Sequence, residues 1–269
     1  MLQTDESAFE GWCVVLKAAL PGIERVILNW DTPTYTVDKE NAQKTHYNRF
    51  LMRVANFRCA YSWFKVADNR NDEVDDIQSM LLSGGVVVNY PKKECGEVSD
   101  NEKKPEAVLE RKLVDLWRKE CPVTDEQLPV GLFTSGKVSK ENTFTPRGAS
   151  QIDLWQLDGN TMRVYELKVK NNEKVGIISE LMFYVCTIKN IVNGNIRYPD
   201  ISNAKNYRHF KDFADAVATN KIENIIGYFT APRLHPLIES NQLKNKILAI
   251  LNANTLGIEF EYKNISHLA

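Results

Sequence analysis

The stretch Gln151-Ile152-Asp153-Leu154-Trp155-Gln156-Leu157-Asp158-Gly159-Asn160-Thr161-Met162-Arg163-Val164-Tyr165-Glu166-Leu167-Lys168-Val169 decides how this chain folds. Two runs rich in apolar and aromatic residues flank Gly159-Asn160, which has the composition of a tight hairpin turn. With those two residues as the loop, Asp158 pairs with Thr161, Asp153 falls opposite Glu166, and Gln151 falls opposite Lys168. Side chains alternate between the two faces of a strand, so Asp153, Glu166 and Lys168 share one face. Directly opposed side chains on one face stand about 5 Å apart. That spacing suits two carboxylates gripping one divalent cation, with an ammonium group beside it. A slip of one residue would pair Asp153 with Tyr165 and turn Glu166 to the other face, so the expectation rests on register.

The flanking segments extend this unit on both sides. Pro105 suits the first position of a helix running to about Lys119, with Val108, Leu109, Leu113, Leu116 and Trp117 as its apolar stripe. Glu106 and Glu110 lie at the edge of that stripe. They are either ordinary first-turn acids favoured by the helix dipole or groups turned inward. Leu128 to Thr134 reads as the first strand of the sheet. A polar loop over 135–150 follows, in which Lys137, Lys140 and Arg147 are either solvated or grip a nucleic-acid strand. After the hairpin, Lys170 is expected to be exposed. Val175 to Val192 predicts an apolar helix carrying Glu180 and Tyr184 four residues apart on one face. A helix over Tyr207 to Val217, a strand over Ile222 to Thr230, a basic amphipathic helix over Leu243 to Leu251 and an edge strand over Gly257 to Tyr262 complete the pattern.

Asp153 followed by Glu166-Leu167-Lys168 resembles the D…(D/E)xK signature of the PD-(D/E)XK nuclease superfamily. A preceding helix with Glu106 and Glu110 and a following helix with Glu180 and Tyr184 resemble the order of that family's core. The resemblance covers residues 103–230, and it departs from the family at Ser150-Gln151-Ile152, where the proline before the Asp is absent. It implies an α/β, restriction-endonuclease-like core, a mixed central sheet flanked by helices. It also implies a hydrolase of phosphodiester bonds, endo- or exonuclease, acting on DNA rather than RNA in restriction, defence or repair. Hydrolysis of that bond needs a positioned water and neutralised phosphate charge, for which hard oxygen ligands around Mg2+ or Mn2+ are suited. By resemblance, Asp153, Glu166 and the Leu167 carbonyl hold the metal, and Glu110 (or Glu106 in its place) holds a metal-bound water or a second cation. Lys168 orients the attacking water or stabilises the developing charge, and Glu180 and Tyr184 support it. Two other readings remain open: a cross-strand surface ion cluster, and an inactive nuclease fold that binds nucleic acid or a partner protein.

Bulk composition bounds these expectations. With 269 residues, 43% of them hydrophobic, there is ample material for a core. A net charge of −1 excludes a general polycation, so any nucleic-acid surface must be a local basic patch. Cys13, Cys59, Cys95, Cys121 and Cys186 are scattered and form no CxxC pair, and the histidines show no zinc spacing. Free thiols in a reducing compartment are expected. The first residues lack the character of a signal peptide, and no apolar run approaches a membrane span, so the expected setting is cytoplasmic without membrane contact.

The polar run over 91–104 reads as a linker between a smaller α/β region, 1–90, and a nuclease-like domain, 105–269. In the first region Phe9, Trp12, Cys13, Leu16, Ala19 and Leu20 mark a helix, Gly22 to Trp30 a strand, Tyr47 to Val66 a second helix and Gly85 to Tyr90 a second strand. Aromatics at helical spacing there point to a core, and Arg49, Arg53 and Arg58 to a solvated face. This region carries no catalytic constellation. It is a candidate surface for a homodimer or partner protein.

Overall fold

The computed structural model describes residues 7–35, 40–96, 105–169, 173–199 and 201–268. Lys170 and residues 97–104 of the expected linker lie outside the described residues. Chain order is α1 (Phe9–Ala19), β1 (Val26–Leu28), α2 (Glu40–Ala60), β2 (Phe64–Val66), α3 (Asn71–Leu82), β3 (Val86–Val88), α4 (Pro105–Trp117), β4 (Thr124–Pro129), β5 (Leu132–Thr134), β6 (Gln151–Asp158), β7 (Thr161–Leu167), α5 (Gly176–Val192), β8 (Ile196–Arg197), α6 (Phe210–Ala218), β9 (Asn224–Ala231), α7 (Pro236–Glu239), α8 (Lys244–Asn252) and β10 (Ile258–Asn264).

The central sheet has the order β10-β9-β7-β6-β4 and is mixed. β4, β6 and β7 form an antiparallel meander, whereas β9 runs parallel to both β7 and β10. A parallel neighbour cannot follow a tight turn, so α5 and α6 occupy the crossover from β7 to β9. The β6–β7 ladder runs from Asp158↔Thr161 to Leu154↔Tyr165 in the register that the Gly159-Asn160 loop dictates. It stops there, so neither the expected Asp153–Glu166 pair nor the expected Gln151–Lys168 pair belongs to the ladder, and Glu166 pairs with Phe229 of β9. Gln151 pairs with Pro129 of β4 instead, and the Lys168 N–H donates to the Thr230 carbonyl on β9 at 2.9 Å.

Alternation on β6 and β7 buries two faces. Trp155, Leu157, Met162 and Val164 join Ile178, Leu181 and Val185 of α5 in the main core. Leu154, Tyr165 and Leu167 pack under Leu109, Leu113, Val114 and Trp117 of α4. α5 is apolar nearly all round because it is covered on both sides, by the sheet and by the amino-terminal helices. Gly227 on β9 permits that close approach: a Cβ there would stand 2.9 Å from Val185 Cγ1.

Several sequence expectations are corrected. The single strand over Leu128 to Thr134 is two, with β4 in the central sheet and β5 beside β3 and β8 in a second sheet. Between them Gly131 passes against Gly148, where a Cβ would lie 1.9 Å from the Gly148 carbonyl oxygen. β4 also begins earlier, in the polar run Thr124-Asp125-Glu126, because Arg111 of α4 and Arg118 in the turn just after it neutralise its buried carboxylates. The expected helix over Tyr47 to Val66 is α2, which ends at Ala60 and gives way to β2, parallel to β1.

Separation of 1–90 from the rest does not carry into the packing. β3 pairs with β5 and β8, and one continuous core joins Val14, Phe57 and Phe64 to Leu181, Phe213 and Phe260. The physical reason is the two-sided apolar surface of α5, which the first region covers. Nor do the α2 arginines form a solvated face. Arg53 is buried against Glu10 of α1, and Arg58 donates to Asp75 and Gln78 of α3. No helix among the described residues is long and apolar enough to cross a membrane.

Candidate active site

Where the β6–β7 ladder ends, the carboxylate of Asp153 takes over from the backbone. Its Oδ2 accepts the Leu167 N–H at 2.8 Å, which fixes Asp153 beside the end of β7. Glu166 and Lys168, two residues apart, turn to the same side as Asp153 and are almost fully buried. Lys168 Nζ ion-pairs with Glu166 Oε1 and with Glu180 Oε2 of α5, the latter at 2.9 Å. Tyr184, one turn after Glu180, is buried beside these acids. The expected supporting pair on α5 is therefore in the cluster, with Glu180 in direct contact with the lysine.

Both helix acids border the same place. Glu110 is buried, accepts from Gln127 Nε2 at 3.2 Å and lies near enough to Asp153 for their charges to repel. Glu106, one turn earlier, faces Lys168 and Glu180. The cluster reaches solvent at Asp153 and Glu106, which are half-buried. Lys137, Lys140 and Arg147 of the 135–150 loop make no contact with it; they lie on the surface of that loop.

Two participants were missed in the sequence. Gln127 stands across from Asp153, between the Glu126↔Leu154 and Leu128↔Ile152 pairs, and its backbone is left-handed (φ 53°). Its carbonyl accepts from the buried Arg208, and its side chain holds Glu110. A non-glycine residue in that conformation is strained and persists only where its surroundings fix it. Arg49 of α2 is the other: burial and Arg53 pull its pKa down to about 10, against the opposing pull of Tyr184 and Glu180. Neither has a signal in local periodicity.

Electrostatics define what the cluster can do. Desolvation holds the Asp153 carboxyl above its ordinary value, although Lys168 and the Leu167 N–H pull it down. Burial, then Asp153 and Glu180, push Glu166 well above its own. Burial and Asp153 push Glu110 up to about 8, and burial raises Glu106. Burial works against a charged Lys168, but Glu166, Glu180 and Asp153 outweigh it and keep the amine protonated. Five carboxyl groups thus crowd two cations, Lys168 and Arg49. Glu166 Oε2 is buried and has no hydrogen-bond partner among the described residues.

That imbalance fits a divalent cation, and hard carboxylate oxygens suit magnesium or manganese. Among the described residues no three His, Cys, Asp or Glu side chains converge on one point. The fit is accordingly to the Asp153–Glu166 pair, with Glu110 joining through bound water. For Leu167, the contact present is its N–H on Asp153, not one through its carbonyl.

A stability test follows from the sign of the Glu110 shift. A carboxyl with a pKa raised on folding stabilises the folded chain below its unfolded value near 4.3 and loses that contribution as pH rises towards about 8. In metal-free buffer Glu110→Gln is expected to raise Tm by several °C at pH 8 and to change little near pH 5, since one pK unit is about 1.4 kcal/mol. Calorimetry at the two pH values measures it; equal shifts at both would show that Glu110 is not crowded by charge.

Comparison with protein-family models, with curated proteins and with solved structures gave no match. The functional reading therefore stands on the residues themselves.

Proposed function

We propose that this protein is a metal-dependent nuclease that hydrolyses phosphodiester bonds, with DNA as the expected substrate. One observation carries the reading: an over-acidic, largely buried cluster at the end of an antiparallel hairpin, with a protonated lysine inside it and a Glu166 oxygen that has no hydrogen-bond partner among the described residues. The order α4, β4, β6, β7, α5, β9, with β7 and β9 parallel, supports the restriction-endonuclease-like core that the D…ExK resemblance implies.

Asp153 and Glu166 would hold Mg2+ or Mn2+, with Glu110 and the Leu167 carbonyl as further oxygens. When bound, the ion would supply a lowered pKa for its water and charge neutralisation for the phosphate. Lys168, held protonated by Glu166 and Glu180, donates to an attacking water or to a phosphate oxygen and stabilises negative charge as it develops. It does not serve as the general base, because that role needs a depressed pKa. Glu180 fixes the lysine, Tyr184 closes the site from behind, and Gln127 orients Glu110.

The test incubates the full chain with plasmid, linear duplex, single-stranded DNA and RNA, with and without magnesium or manganese. Cleavage confined to the metal-containing arms is expected. Retarded migration of nucleic acid with no cleavage in any arm would favour a binding module on a nuclease fold.

A further inference from the structure

Arg49 of α2 lies near enough to Tyr184 and Glu180 for their charges to act on it, and a groove opens one turn before it on the same helix. The first turns of α2, at Asn41, Ala42 and Thr45, and the loop residues Lys140, Thr143 and Arg147 line a cavity of about 420 Å3. Thr45, Arg49 and Arg53 repeat every four residues and so form one face of α2. That face runs from the groove at Thr45, past the cluster at Arg49, to the buried Glu10 at Arg53.

The opposite wall is built to hold a cation still. Thr145 is fully buried, and its hydroxyl accepts the Leu132 N–H at 2.9 Å. Gly148 lies against the Phe133 ring, where a Cβ would come within 2.2 Å, and Gly131 lies against Gly148. Arg147, between these anchors, is forced into the left-handed region (φ 56°) and points to solvent. Arg147 is exposed, in a backbone conformation that glycine would adopt without strain. Among the described residues neither Arg147 nor Lys140 makes an ion pair; Lys140 feels Glu141, whose carboxyl its charge helps to lower. Arg147 also bears on His46, which Arg49 contacts from the next turn at 3.5 Å.

We propose that this groove, between the first turns of α2 and the 140–147 loop, is a phosphate-binding track for a nucleic-acid strand, gripped by Lys140 and Arg147 and led by Arg49 to the carboxylate cluster. The proposal rests on the nuclease reading for what lies at the inner end of the track. It gives the amino-terminal region a place in substrate binding. Cationic side chains at fixed spacing grip the sugar–phosphate backbone without regard to sequence, and each contact adds to the salt dependence of binding.

The experiment measures binding of fluorescent oligonucleotides, single-stranded and duplex, to the full chain in chelator across a salt series, so that no cleavage is needed. Lys140→Gln combined with Arg147→Gly is expected to weaken binding about tenfold or more and to shallow the salt dependence by about one ion per residue removed. Arg147→Gly alone is expected to weaken binding while its Tm stays level or rises, because glycine accepts the left-handed backbone. Affinity and salt slope like the wild type in the double variant overturn the proposal. So does a fall in Tm that accounts for the loss, and so does a wild-type chain that binds no nucleic acid. Full cleavage by an Asp153→Asn chain would instead sink the nuclease reading and leave the groove measurement standing.

Discussion

Asp153→Asn and Glu166→Gln are each expected to abolish metal-dependent cleavage and to weaken magnesium binding severely, while the fold is retained. The amides are chosen with the structure in view. Asp153→Asn keeps a side-chain oxygen for the Leu167 N–H, so the end of β7 stays anchored. Glu166→Gln keeps an acceptor for Lys168, which also retains Glu180. Both changes remove one negative charge from a site with five carboxyl groups, so the metal-free chain should lose no stability and is expected to gain some at pH 8. Loss of function with gain of stability is what a group held in an unfavourable setting for chemistry produces. A carboxylate serving only the fold would behave in the opposite way. Cleavage rate, calorimetric magnesium binding and Tm should be measured on the same preparations. An Asp153→Asn chain that cleaves at the wild-type rate would remove the basis for any metal at this hairpin.

The hairpin was legible because its determinants are local. A tight turn and a two-residue period fix which side chains share a face, and the ladder follows that register to Leu154↔Tyr165. Helices α4 and α5 were legible for the same reason, through their apolar stripes and the proline at the start of α4. The choice between Glu106 and Glu110 was not decidable from spacing, because residues four apart on a helix share a side and both reach the cluster.

What the pattern hid involves polar burial or distant partners. β4 opens with Asp125 and Glu126, which look like loop until Arg118 and Arg111 are seen to neutralise them. Arg53 finds Glu10 forty-three residues away, and Ser179 of α5 donates to the same carboxylate. Arg49 meets the cluster only because α2 crosses α5. The left-handed backbones of Gln127 and Arg147 have no counterpart in composition, since neither residue is one that favours that conformation. In each case the partner lies on another element, where periodicity has no reach.

Lys168→Ala is expected to cost the chain both its chemistry and much of its metal-free stability. From sequence alone this lysine is a charge beside the attacking water, expendable to the fold. Its burial changes that expectation. Lys168 is 4% exposed, and its ammonium is the cation between Glu166 and Glu180, which are buried as deeply. Removing it leaves two like charges facing each other out of water, and breaking a buried pair from one side costs about 3–5 kcal/mol. For a chain of this size that is a fall in Tm of roughly 10 °C at pH 8. The carboxyls can escape the cost by taking up protons. The deficit should therefore shrink as pH falls, since burial and the neighbouring acids hold the Glu166 carboxyl well above its ordinary value and favour its neutral form. Magnesium should recover part of the lost stability, because a cation held by Asp153 and Glu166 offsets the same repulsion. Cleavage should not recover, because the positive charge that meets the phosphate would still be absent. Nucleic-acid binding should persist, as it depends on many phosphate contacts. Stability restored by magnesium without activity would separate the two duties of the lysine. A Lys168→Ala chain with wild-type Tm and wild-type cleavage would reduce it to a bystander, and the proposed mechanism with it.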